Sequence, residues 1–108
     1  MIKNIALHYF QAFSRKDINF LSTNFSPDVS LRDWDIYAEG IEAVILANSK
    51  IFNAVGTITA KPINIFSDRK VVIAELSIIV DDGEPLRVVD ILEFTDDGKI
   101  CSVRAYKG

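Results

Sequence analysis

LRVVDILEFTDDGKICSVRAY, residues 86–106, reads as two strands joined by one tight turn. Successive side chains of a strand point to opposite faces, so Leu86, Val88, Leu92 and Phe94 share one side. Arg87, Val89, Ile91 and Glu93 share the other. Asp96-Asp97-Gly98 carries the residues a short hairpin turn requires, and Ile100–Tyr106 supplies the returning strand. Asp90 alone breaks the pattern, standing in the middle of the Leu/Val/Leu/Phe row.

Upstream of this hairpin, Thr57–Phe66 and Lys70–Val80 read as two more strands. Ser67-Asp68-Arg69 and Asp81-Asp82-Gly83-Glu84 are the turns that follow them. Short turns join antiparallel neighbours, so the C-terminal half is a four-strand meander. The N-terminal half has helical period instead. Over residues 2 to 14, Ile2, Ile5, Ala6, Tyr9, Ala12 and Phe13 gather on one face, with Asn4, His8, Gln11 and Arg15 opposite. Asp17 is placed to cap a short second helix, Ile18 to Asn24. Ser26-Pro27-Asp28 breaks the chain, and Val29 to Trp34 forms a short strand. Gly40 precedes a third helix, Ile41 to Val55, with Gly56 placed as its C′ residue. Helices grouped before a meander give an α+β fold.

With 108 residues and 49% hydrophobic content, the chain is expected to form one domain, residues 1–108, with a real core. A net charge of −3 argues against a nucleic-acid partner, because phosphate neutralisation needs a basic face. No segment is long and apolar enough to span a membrane. The single cysteine, Cys101, and an N-terminus without the h-region of a secretory signal make a cytoplasmic setting the expectation. Val71–Val80 is apolar on both faces of its strand, although helices can cover only one. A homodimer through the other sheet face is therefore expected.

Three polar residues occupy positions where the pattern calls for apolar ones. Tyr9 is central on the apolar face of the first helix; taken alone, it reads as a core aromatic. Asp33 follows Val29 and Leu31 at strand spacing; taken alone, it reads as a strand-end carboxylate capping a turn. Asp90 reads as a site residue even alone, because buried acids without an arginine partner line cavities. A phenol and two carboxyls in one apolar space form a chemical set. A carboxylate can remove a proton next to a carbonyl. A phenol and a protonated carboxylic acid can both donate hydrogen bonds to the enolate oxygen that results.

At these residues the chain resembles ketosteroid isomerase, within the nuclear-transport-factor-like, SnoaL-like superfamily. The segment ALHYFQAFSRKDINFLSTNFSPDVSLRDW, residues 6–34, resembles that family's helix–helix–strand start. VVDILEFTDDGKICSVRAYKG, residues 88–108, resembles its closing strands. The resemblance implies a cone-shaped fold of cystatin-like topology, with three N-terminal helices packed on a curved, mainly antiparallel sheet. It places Tyr9 on the oxyanion-hole tyrosine, Asp33 on the catalytic base and Asp90 on the protonated acid that shares the hole. A carboxylic acid kept neutral in this way is the established behaviour of that enzyme. Phe25 and Asn48 stand where some relatives carry supporting tyrosines, and the turn before Leu86 is shorter.

Other chemistries lack their residues. His8 is the sole histidine and falls on the polar helix face, which removes Ser-His and Cys-His hydrolase readings. No His/Cys cluster suits a metal, and the five glycines form no phosphate-binding fingerprint, so no cofactor is expected. The expected function is an isomerase-like enzyme that moves a proton on a small hydrophobic ketone through a dienolate. The alternatives are a non-catalytic ligand-binding or association module, a SnoaL-type cyclase, or another pocket enzyme of this fold. Trp34, Tyr37, Glu75 and Arg104 carry no decided role in the sequence. Arg104 is expected to pair with an acid on the sheet.

Overall fold

A computed structural model describes residues 1–108. Three helices, α1 (Ile2–Ser14), α2 (Ile18–Asn24) and α3 (Ile41–Ala54), pack on one six-stranded sheet. Its strands are β1 (Phe25–Arg32), β2 (Tyr37–Glu39), β3 (Ile58–Asp68), β4 (Val71–Val80), β5 (Leu86–Phe94) and β6 (Ile100–Lys107). They lie in the order β2-β1-β6-β5-β4-β3. The C-terminal four form the expected antiparallel meander. β1 returns from the N-terminal half to lie parallel beside β6, with Leu31 opposite Val103.

Helix α1 lies across β3 and β4, α3 packs on β1, and α2 bridges the two helices. Phe10, Leu21, Leu76, Leu92 and Ile100 are fully buried between helices and sheet. Each such side chain contributes about 1.5–3 kcal/mol through removal from water. The Ser14 hydroxyl donates to Phe10 O and accepts from the Ala60 N–H, both at 2.9 Å, which ties the end of α1 to β3. Asp17 caps α2 by accepting from the Phe20 N–H at 3.1 Å, as its position in the sequence implies.

Five sequence expectations change. The turn after β3 is Arg69-Lys70 rather than Ser67-Asp68-Arg69, because Ser67 and Asp68 stay paired with Val72 and Val71. Ser26-Pro27-Asp28 does not break the chain but lies inside β1. Proline has no N–H for the ladder, so the pairing with β6 shifts between Phe25 and Ser30 and the strand continues. The same strand stops at Arg32 rather than Trp34, because the Asp33 N–H donates to Ile36 O in the following turn. β2 has no counterpart in the sequence reading; three residues with two side chains exposed carry no periodic signal. Gly56 is not a left-handed C′ residue. Helix α3 instead ends at Val55 in extended conformation (φ −127°, ψ 149°). The Lys16 ammonium donates to Val55 O and Gly56 O, and the Asp81 carboxylate accepts from the Gly56 and Thr57 N–H groups. A Cβ at Gly56 would lie 2.8 Å from Asp81 Oδ1, so close approach, not φ, requires the glycine.

The outer sheet face carries what the pattern of β4 implied. Phe66, Ile73, Val89 and Tyr106 are exposed there, and Ile73 pairs with Ile91. Glu75 also lies outside, where Asn64 and Arg87 donate to it. Arg104 pairs with Glu93 on the same face. No helix is long and apolar enough to cross a membrane.

Phe10 sits at the centre of the helix–sheet contact. Phe10→Ala is expected to cost about 3–5 kcal/mol. Urea unfolding followed by circular dichroism measures it, and a loss below about 1 kcal/mol would place the core elsewhere.

Candidate active site

Between α1, α3 and the concave face of the sheet lies a cavity of about 80 Å³. Twelve of its fifteen lining residues are hydrophobic, and the three others are Asp33, Asn48 and Asp90. Tyr9 lines it too, so a phenol joins these polar groups. The register of the strands explains the space. Asp90 on β5 is paired with Ala74 on β4 and Ala105 on β6, and the small side chain of Ala105 lines the cavity beside the carboxyl. Ala60 lowers the wall on the β3 side. Trp34, half exposed, stands at the mouth with the Lys107 ammonium 5.6 Å from its ring centre.

Each polar side chain arrives on a different element. Tyr9 projects from the buried side of α1 into a cluster of rings, with Phe10 at 5.4 Å and Phe25 at 6.2 Å between centroids. Phe25 opens β1, and its ring offers no hydroxyl to Tyr9. Asp33 follows the last residue of β1, where Arg32 is paired with Arg104. Only β6 separates β1 from β5, so the end of β1 brings Asp33 to the cavity that Asp90 lines.

The Asp33 carboxyl plays both parts that the sequence allowed. Its Oδ1 accepts from the N–H groups of Asp35 at 2.7 Å and Ile36 at 2.6 Å, closing the turn after β1. Those two bonds hold the group in place, and Asp33 also lines the cavity. Tyr9 and Asp90 differ: no group in the chain hydrogen-bonds the phenol or the Asp90 carboxyl. No buried side-chain polar atom is sealed off without a partner, so both must open onto the cavity.

Burial disfavours the charged form of a carboxyl, and a neighbouring negative charge does so again. Burial first, then the charge of Asp33, raises Asp90 to about 7. Burial also pushes the Tyr9 phenol upward, assisted by the charge of Asp90. Below neutral pH the cavity thus presents two donors, the phenol and the protonated Asp90, in the space that Asp33 also lines. His8 is exposed on the far side of α1. No group of three or more His, Cys, Asp or Glu side chains is placed to hold a metal ion.

A family model for the SnoaL-like domain matches residues 6–103. The chain belongs to the SnoaL-like domain family. Solved structures of the same fold include a protein provisionally named a SnoaL-like polyketide cyclase, from Shewanella denitrificans. It has 16% identity and a TM-score of 0.87, over 99% of this chain and 90% of that one. A protein provisionally named a ketosteroid isomerase, from Kribbella flavida, is 16% identical with a TM-score of 0.86, over 99% of this chain and 77% of that one. Nuclear transport factor 2 from Cryptosporidium parvum is 16% identical with a TM-score of 0.85, over 98% of this chain and 90% of that one. Comparison with curated proteins finds no match. At these identities the structural likeness establishes the nuclear-transport-factor-like cone and nothing finer.

Of the cavity's polar residues, sequence patterning singled out Tyr9, Asp33 and Asp90, and the SnoaL-like domain gathers all three. Asn48 stood out only as a departure from the resemblance. The buried face of α3 takes it into the cavity, a position its polar side chain concealed. The alanines at 60, 74 and 105 carried a signal in retrospect: short side chains at inward-facing strand positions. Only the cross-strand register ranks them around Asp90.

The raised Asp90 has a consequence for stability. Between about pH 4 and 7 the folded chain holds a proton that the unfolded chain has released, so stability falls as pH rises through that window. Asp90→Asn, which keeps the shape and a donor, is expected to remove this decline. The variant should exceed the wild type by a few kcal/mol at pH 8 and match it near pH 4. Urea denaturation across pH 4–8 measures this; parallel curves for the two proteins would place Asp90 in a solvated setting.

Proposed function

We propose that this SnoaL-like domain is a cofactor-independent isomerase that moves a proton on a small ketone through a dienolate. The observation that carries the reading is the pair of unpartnered groups, Tyr9 and Asp90, that line the same apolar cavity as the Asp33 carboxyl. A β,γ-unsaturated ketone would place its carbonyl oxygen between the phenol and the protonated acid. Asp33 Oδ2 takes the proton from the carbon between the carbonyl and the double bond. The C–H electron pair moves into the carbon framework, and negative charge develops on the oxygen. The two donors meet that charge in an apolar cavity, which makes their hydrogen bonds stronger than in water. Asp33 then returns the proton to the γ-carbon and the conjugated enone leaves. Atoms and electrons balance without an added reactant.

The enclosed volume of about 80 Å³ is well below the roughly 300–1,000 Å³ of sites that take drug-sized ligands. A short-chain or single-ring enone suits this space better than a fused-ring steroid. The test is a panel of small β,γ-unsaturated ketones followed by ultraviolet absorbance of the conjugated product. Asp33→Asn is expected to abolish turnover. Tyr9→Phe should lower kcat by about 10²–10³-fold, the usual effect of losing one oxyanion donor. Turnover unchanged in Asp33→Asn would remove Asp33 as the base. Tight binding of phenols with no turnover of any ketone would favour a ligand-binding role instead.

The same reading includes a homodimer. Phe66, Ile73, Val89 and Tyr106 form an apolar outer face that the helices do not cover, and a second copy would bury it. Sedimentation equilibrium at micromolar concentration is expected to give twice the chain mass of 12.1 kDa. A monomer at that concentration would refute the assembly.

A further inference from the structure

Asn48 is the one polar side chain of the cavity that the proton transfer does not use. It is 2% exposed and lies on α3. Its Nδ2 donates to Val44 O, one turn earlier, at 2.9 Å. A backbone carbonyl only accepts, so the amide nitrogen must face it and the orientation of the group is settled by chemistry. The amide oxygen therefore points away from Val44. Nothing in the chain donates to it, and no buried polar atom is sealed without a partner, so Oδ1 opens onto the cavity.

This gives the cavity a polarity that a hydrocarbon ketone cannot answer. The carbonyl of such a ketone satisfies Tyr9 and Asp90. Its remaining atoms would expel water from Asn48 Oδ1 and offer no hydrogen in return. A buried acceptor left unpaired weakens binding more than a formed bond strengthens it. Sites built around a polar group reject analogues that lack its partner for the same reason.

We propose that Asn48 is a specificity residue, selecting compact ketones that carry a hydroxyl or N–H group and disfavouring plain hydrocarbon ketones. This rests on the oxyanion-hole reading of Tyr9 and Asp90. The small enclosed volume requires the carbonyl and the donor to sit on one compact skeleton.

Phenol and the three dihydroxybenzenes test it by isothermal titration calorimetry, since one phenol oxygen takes the place of the enolate oxygen. At least one dihydroxybenzene is expected to bind the wild type about tenfold more tightly than phenol, the effect of one hydrogen bond. Asn48→Leu and Asn48→Ala should bring that ratio to about one, with phenol bound more tightly than by the wild type because it no longer leaves an acceptor unpaired. The ratio should persist in Asp33→Asn, which separates Asn48 from the other acceptor in the cavity. Equal binding of all four probes by the wild type would overturn the proposal and leave the oxyanion hole standing. A preference that survives both Asn48 substitutions, or that disappears in Asp33→Asn, would overturn it equally. Failure of every probe to bind the wild type would remove the oxyanion hole itself, and the role of Asn48 with it.

Discussion

A carboxyl group set into the apolar face of a sheet must find a donor, reach water, or keep its proton. Asp90 faces that constraint between Ala74 and Ala105. No arginine or lysine of the chain reaches it. The carboxyl opens onto the cavity instead of a partner, and desolvation favours its protonated form below neutral pH. With a larger residue at 105 the space beside Asp90 would shrink, and the carboxyl would become a buried polar defect. The cavity and the protonated acid are two aspects of one packing arrangement, and the other site groups are arranged around it.

Those groups come together through connections that are long in sequence. β1 lies parallel beside β6, so the end of β1 brings Asp33 to Asp90 across a single intervening strand. Helix α1 lies across β3 and β4 and suspends the Tyr9 phenol above the same row. The ends of the helices are pinned by polar contacts of their own. Lys16 holds the carbonyls after α3, and Asp81 holds the N–H groups that follow them.

The cone itself does not select a chemistry. Proteins named as a cyclase, an isomerase and a transport factor share it at sequence identities near 16%. What distinguishes members is which side chains face the hollow and what they leave unsatisfied. Here a phenol, a protonated acid and an anchored carboxylate are joined by a carboxamide whose oxygen faces inward. Phe25 contributes only an apolar edge to the phenol. The result is a site with two donors and two acceptors in a small volume.

Much of this was legible in the chain. Period 2 in the C-terminal half and period 3.6 in the N-terminal half determined the element types. The Asp-Gly turns determined the meander, because backbone sterics and apolar burial act over a few residues. The same patterning marked Tyr9, Asp33 and Asp90, since a polar residue in an apolar row is visible without coordinates. Tertiary structure alone decided the rest. The parallel seating of β1 on β6, the short β2 and the extended end of α3 depend on partners far along the chain, to which local pattern is blind. Whether Asp33 caps a turn or faces a cavity could not be chosen from its neighbours, and the fold has it do both. The place of Asn48 in the cavity, and the direction its amide points, required the packing of α3 on the sheet. That is a matter of packing in three dimensions, where residues dozens of positions apart exclude water from one another.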